Sequence, residues 1–321
     1  MNDLENACKP RLVVSRCLGF EPCRYNGQTI TDDLVESLKP FVEIITICPE
    51  ADIGLGTPRQ PVRLVQQGDQ VRMVQPSSGA DVTGAMHAYI DRQRAELTEI
   101  DGFLFKGRSP SCGPSVVKIY SSDLKGSSAI KGMGMFAHAA IKAFPYAAVE
   151  DEGRLKNFQI REAYLMRLFA LARLRGLERA SSASAISTFH ASHKLLLMCY
   201  HQEQMRVCGR IAANHEKLPL QDLVQAYATA FREALMQMPR QSNIINALFH
   251  GFGWISEGLN SAEKKLFLDA LEEYRDERVT LATLQHLLKS YVIRFDHDYL
   301  GSQHFLEPYP RALFELSDSG R

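Results

Sequence analysis

RLVVSRCLGFEPCRYNG, residues 11–27, decides how the first half of the chain is read. Leu12, Val13 and Val14 form a short apolar run, which reads as a buried strand. The run leads directly to Cys17, and Cys23 follows in a turn-rich loop. VEIITIC (42–48) repeats the arrangement, a strand ending at Cys48. So does DGFLFKGRSPSC (101–112), a strand and a short loop ending at Cys112, and YAAVEDE (146–152) reads as a fourth strand. Between the strands, DDLVESLKPF (32–41), TGAMHAYIDRQRAEL (83–97) and GMGMFAHAAIKAF (132–144) carry helical spacing. Strands alternating with helices predict an α/β fold, a Rossmann-like parallel sheet with helices on both faces.

Each of the three cysteines falls at or just past the carboxyl end of a strand. In open α/β sheets ligands bind at that edge, because the connecting loops converge there. Adjacent strands lie about 5 Å apart, so side chains from neighbouring strand ends can meet. Gly107, Gly113 and several prolines surround these thiols, which suits a rigid, preformed site. Residue spacing alone leaves three readings open: a metal or cluster site, a catalytic thiol, or structural cysteines. A structural zinc site is disfavoured, since the chain has no CxxC pair. Three widely spaced cysteines suit a cubane iron–sulfur cluster with one iron open.

Composition narrows the setting. The chain has 321 residues, formal net charge +0 and seven cysteines. No window of about 20 residues is free of charge, so no membrane-spanning helix is expected. An acidic N-terminus without an apolar core of signal-peptide length points to a cytoplasmic protein. Thiols stay reduced there, which argues against a Cys17–Cys23 disulfide.

Beyond about residue 154 strand signals fade and helical patterns take over: NFQIREAYLMRLFALARLRG, FHASHKLLLMCYHQEQMRVCGRIAANH, LQDLVQAYATAFREALMQ and SAEKKLFLDALEEYRDE. ASSASAIS (180–187) reads as a loop or linker, and Trp254 as a core residue. The expected division is an α/β domain over 1–153 and an all-α domain over 154–321. Residues 154–210 hold ten Lys/Arg against three acids. That excess reads either as a solvated helix face or as an RNA surface carried by Arg161, Arg167, Arg173, Arg175 and Arg179. His190, His193 and His201 share the region but lack a ligand pattern, so packing roles are expected. Arg24, Arg59, Lys106 and Arg108 are candidates to contact nucleotide phosphate or cluster sulfides, and Tyr25 to stack on a base.

The segments SRCLGFEPCRYNG, CPEADIGLGTPRQP and KGRSPSCG resemble the signature segments of the TudS-type thiouracil desulfidase family. The helical remainder, with FHASHKLLLMCYHQ and LEPYP, is similar to the domain fused to such proteins in the RudS-type tRNA 4-thiouridine desulfidases. The resemblance implies an enzyme with a [4Fe–4S] cluster held by Cys17, Cys48 and Cys112, the fourth iron being open to the substrate sulfur. It also implies catalytic roles for Glu50 of CPE and Ser109 of SPSC. The implied reaction is hydrolytic and redox-neutral, C=S to C=O with release of sulfide. The expected substrate is 4-thiouridine in tRNA, or alternatively a free thiouracil or thiouridine nucleotide. A non-enzymatic iron–sulfur sensor that binds nucleic acid is the rival reading. A monomer is expected, and Cys23 is read as a bystander beside the cluster.

Overall fold

A computed structural model of the protein describes residues 8–179 and 182–315. The chain divides into two compact units. One holds residues 9–172 and 312–315, and the other Cys8 and residues 173–311.

The first unit is built on β1 (Arg11–Ser15), whose last four residues are all buried. A strand buried on both faces belongs in the middle of a covered parallel sheet. It pairs in parallel with β2 (Glu43–Ile47), which follows α1 (Asp33–Leu38), and with β6 (Gly102–Phe105). β9 (Ala148–Asp151) then adds in parallel beside β6, giving the order β2-β1-β6-β9. On one face Val13, Phe103 and Phe105 pack with Met86 and Tyr89 of α2 (Thr83–Glu96) and Phe136 of α3 (Met135–Ala143). The other face takes α4 (Phe158–Leu177), packed so closely that a Cβ at Gly102 would stand 2.6 Å from Leu168 Cδ1. The α/β reading of the sequence therefore holds, with helices on both faces.

A second sheet, absent from the sequence reading, has the order β5-β4-β3-β7-β8. It comprises β3 (Arg63–Gln67), β4 (Gln70–Gln75), β5 (Ala80–Asp81), β7 (Val117–Tyr120) and β8 (Ala129–Gly132). β3 and β4 form a hairpin around Gly68, whose φ of 58° is the left-handed conformation that the turn requires. Leu64, Met73 and Val117 turn inward and join the core beneath the parallel sheet.

The second unit is helical, with α5 (Ala183–Tyr200), α6 (Gln202–Ala213), α7 (Leu220–Ala234), α8 (Gln241–Gly253), α9 (Ser261–Arg275), α10 (Leu281–Phe295) and the short α11 (Asp298–Gly301). α5 is central and packs against α6, α7 and α8. Three readings of the sequence need correction here. Helix α5 begins inside the expected linker, where the Ser182 side chain caps it (Ala180 and Ser181 lie outside the described residues). The single pattern over 189–215 is broken at His201, an extended residue whose ring caps α6. Trp254 is 37% exposed, edge-on to Tyr299, so it is not a core residue.

His190 and His193 are engaged inside the helical unit. His193 donates from Nδ1 to Phe189 O at 2.8 Å, and its Nε2 accepts from Arg173 Nε at 3.0 Å. His190 Nδ1 meets the Tyr227 hydroxyl at 3.2 Å. Burial pulls the His190 pKa down to about 4 and that of His304 to about 3. Both lie below the unfolded value of about 6.5, so unfolding takes up protons between these limits. The associated stability is complete above pH 6.5 and is lost as the pH falls toward 4. Thermal unfolding followed at pH 7.5 and pH 5.0 is expected to show a lower melting temperature at pH 5.0, with a smaller drop in His190→Gln.

Candidate functional site

β1 lies between β2 and β6, and all three strands end at the same edge. Cys17 lies just beyond β1, Cys48 directly follows β2, and Cys112 closes the loop after β6. The three thiols line one cavity of about 370 Å³, together with Cys23, Glu50 and Ser109. Parallel register therefore assembles, from three distant segments, every residue that the sequence singled out for ligation and acid–base work.

Each loop is fixed locally. The Cys48 loop turns through Ala51–Leu55, with Asp52 N donating to Cys48 O at 2.9 Å and Cys48 N to Asp52 Oδ2 at 3.3 Å. Asp52 also pairs with Arg16 at 3.0 Å and accepts from the Tyr89 hydroxyl at 3.1 Å. Arg16 thus ties the Cys17 strand end to the Cys48 loop. The Cys112 loop is held by the start of α3: Gly134 N donates to Gly113 O (2.8 Å), Met135 N to Pro110 O (3.0 Å) and Ala137 N to Ser111 O (3.1 Å). A Cβ at Gly134 would stand 2.5 Å from the Ser111 carbonyl, so this crossing needs glycine. The free amides of this helix end are spent on the loop, in keeping with GMGMFAHA as helix-start packing.

Glu50 is the hub of the site. Its Oε2 accepts from Arg59 Nε at 3.0 Å and Nη2 at 2.8 Å, and the pair is nearly shielded from solvent. Its Oε1 accepts from the Ser111 hydroxyl at 2.7 Å and faces the Ser109 hydroxyl at 3.5 Å. Ser109 Oγ also accepts from Ser111 N and Cys112 N at 3.2 and 3.1 Å, which shapes the turn that carries Cys112. Arg59 Nη1 reaches the Cys23 carbonyl at 2.9 Å. Ser111 and Asp52 carry this arrangement and were not assigned roles from sequence. The SPSC repeat of serine one residue before the thiol was the available signal for Ser111.

The thiols shift together. Hydrogen bonding with Cys17 pushes the Cys23 pKa up to about 11. Hydrogen bonding with Cys23, then burial, raises Cys48, and burial raises Cys112, whose thiol also bonds Ser15. Among the described residues no group of three His, Cys, Asp or Glu is placed to hold a single metal ion. Ligands of one ion must converge within about 2.0–2.3 Å of one point, whereas thiolates of a cluster bind separate irons and need not.

The candidate cations separate into two groups. Arg59 is committed to Glu50, and Lys106 to Glu152 and the Gly107 carbonyl. Arg24, beside the 46% exposed Tyr25 ring, and the exposed Arg108 line the same cavity without ion-pair partners among the described residues. The expected RNA run fails for most of its members. Arg161, Arg173 and Arg175 are buried. Arg161 donates to the Leu155 and Glu315 carbonyls, Arg173 to His193 and the Pro308 carbonyl, and Arg175 to Cys8 Sγ. Arg167 donates to Tyr146 O at 3.0 Å, and only Arg179 of the five is exposed. A buried guanidinium bonded to carbonyls cannot meet phosphate, so Arg161, Arg173 and Arg175 serve packing.

Comparison with known proteins bears on the same residues. Residues 12–152 match a family described as 2-thiouracil desulfurase, and residues 194–310 one described as a protein of unknown function, DUF1722. The chain is 31% identical to YbbK of Bacillus subtilis (strain 168) over 147 residues, 44% of this chain and 95% of that protein. It is 26% identical to YbgA of Escherichia coli (strain K12) over 162 residues, 50% of this chain and 95% of that protein. Among solved structures it is similar to TudS, a [4Fe–4S]-dependent thiouracil desulfidase, with 32% identity and a TM-score of 0.36, covering 46% of this chain and 93% of that one.

The Ser111 hydroxyl is fully buried and bonds a carboxylate. Ser111→Ala is expected to destabilise the α/β unit by about 1.5–3 kcal/mol, the range for hydrogen bonds to charged groups. Urea unfolding at pH 7 measures this.

Proposed function

Because the chain belongs, through residues 12–152, to the 2-thiouracil desulfurase family, we propose that it is an enzyme that converts the C=S group of a thiolated uracil to C=O and releases sulfide. The observation that supports this most directly is the shared cavity of Cys17, Cys48, Cys112 and Glu50. Three thiols and an anchored carboxylate on one strand edge suit chemistry on a soft sulfur.

The donor set fits a [4Fe–4S] cluster on Cys17, Cys48 and Cys112. The raised pKa values of Cys48 and Cys112 say that their thiolates need a positive partner, which iron provides. When bound, the cluster supplies a thiophilic Lewis acid for the substrate sulfur. Cys23 is assigned to the wall of the site, its carbonyl held by Arg59 and by the Cys48 thiol at 3.7 Å.

The reaction needs only water. Water oxygen bonds to the thiocarbonyl carbon, the C=S π electrons move to sulfur, and collapse to C=O breaks the C–S bond. Both water protons end on sulfide or solvent, so no electron donor is required. In this reading Glu50 takes a proton from the attacking water and returns it to the leaving sulfur. Arg59 holds Oε2, so the transfer runs through the second lone pair of Oε1, which also accepts from Ser111 and faces Ser109. Ser109 orients the water or the pyrimidine edge. At the cavity rim, Tyr25 supplies a face for the base, and Arg24 and Arg108 supply charge for its phosphates. These rim groups favour a nucleotide over a bare base, and 4-thiouridine within tRNA is the proposed substrate.

Anaerobic cluster reconstitution followed by sulfide-release assays on 4-thiouridine tRNA, 4-thiouridine nucleotides and 2-thiouracil tests the proposal. Glu50→Gln is expected to retain the brown cluster absorption and lose 10²–10⁴-fold in kcat, the usual worth of a general acid–base. Cys17→Ala, Cys48→Ala and Cys112→Ala are each expected to lose that absorption. Full turnover in Glu50→Gln would reject its acid–base role, whereas an intact cluster in wild type with no turnover of any of the three substrates would favour a sensor, which needs the thiols but not the carboxylate.

A further inference from the structure

The buried arginines of α4 leave open which surface meets a polynucleotide. The second sheet offers one in the same unit as the cavity. Its inner face carries Leu64, Met73, Val117 and Ile119. By strand alternation its outer face carries Arg63 and Val65 on β3, Arg72 and Val74 on β4, Lys118 and Tyr120 on β7, and Lys131 on β8.

Charge on this face is one-sided. Arg72 is matched by Asp81, but among the described residues no carboxylate pairs with Arg63, Lys118 or Lys131. Arg63 lies over the Tyr120 ring at 4.9 Å, presenting a cation and an aromatic side by side. Lys118 stands directly opposite Lys131 in the antiparallel register. Like charges at that position destabilise a sheet. A lysine on the edge strand β8 would by itself protect the edge from pairing. Lys118 is on β7, an inner strand, and edge protection does not call for it. The repulsive pair makes sense if a polyanion neutralises it. Arg63 opens β3 directly after Val62 of the cavity wall, so the face begins one residue along the chain from the cavity.

We infer that the outer face of the β5-β4-β3-β7-β8 sheet is an RNA-docking surface, in which Arg63, Lys118 and Lys131 take backbone phosphates and Tyr120 packs against a base or ribose. The cavity rim then receives the modified nucleotide of the same strand. This deepens the proposed desulfidase function and rests on it only for what happens to that nucleotide. Docking itself is sequence-independent and salt-sensitive, as phosphate contacts are.

The test is fluorescence anisotropy of the full chain with an unmodified tRNA transcript over a series of salt concentrations. It compares wild type, Lys118→Glu with Lys131→Glu, and Arg206→Glu with Arg210→Glu as a control on α6, where both arginines are exposed. The sheet double variant is expected to bind at least 10-fold more weakly, with the log–log salt slope flatter by about two, one per lost phosphate contact. Its turnover of 2-thiouracil, after reconstitution, is expected to match wild type. Lys118→Glu alone places opposite charges across the strands and is expected to raise the melting temperature while still weakening tRNA, which separates docking from folding. The inference is overturned if the sheet variants bind tRNA as wild type does, if the α6 control alone loses binding, or if wild type binds heparin but not tRNA. Loss of tRNA binding in the sheet variants, with no turnover of any thiolated substrate by wild type, would keep the surface and reject the desulfidase reading.

Discussion

The carboxylate of Glu50 holds the candidate site together. It belongs to the loop after β2 and is held by Arg59, downstream on the same loop, and by Ser109 and Ser111 on the loop after β6. Through Arg59 it also reaches the carbonyl of Cys23, on the loop after β1. Three loops that share no secondary structure are thus joined at one buried charge. Such a charge is costly to desolvate, and Arg59 and the two serines compensate it. The same compensation engages both oxygens of a carboxylate that lines the cavity, Oε2 through Arg59 and Oε1 through Ser111.

A second network works at the outer wall. Arg16, Asp52 and Tyr89 link β1, the turn after Cys48 and α2. The α3 amides close the third side by bonding the carbonyls of the Cys112 loop. The thiols are therefore presented by backbone that is already fixed. A metal centre bound there pays little ordering entropy, and its geometry is set by the sheet rather than by flexible side chains.

The parallel sheet was legible because RLVVS and DGFLF are continuous apolar runs that only a doubly covered strand explains, and because each leads to a cysteine. The second sheet was not, since its strands are half-exposed and mix Arg, Gln and Lys with valine. The hairpin signal was nonetheless present in RLVQQGDQVRMVQ, alternation around a Gly-Asp turn. The positions of Glu50 and Ser109 followed from their neighbours in sequence, but the dependence of Glu50 on Arg59 and Ser111 is tertiary and has no local mark. The α4 arginines misled for a related reason. Counting charge along a helix ignores which face it turns inward, and Arg161, Arg173 and Arg175 find carbonyl, imidazole or sulfur acceptors inside the fold.

The bond from Gly134 N to Gly113 O closes the chain on itself just after Cys112. Between these two glycines the chain leaves as β7, turns, and returns as β8 before entering α3. The hairpin is therefore an excursion pinned at its root. Its tip and outer face can lengthen, shorten or change charge while the root keeps the thiol in place. Val117, Ile119 and the pairing of β7 with β3 tie the inner side of the hairpin to the core, so such variation is confined to its tip and outward residues, away from the thiol.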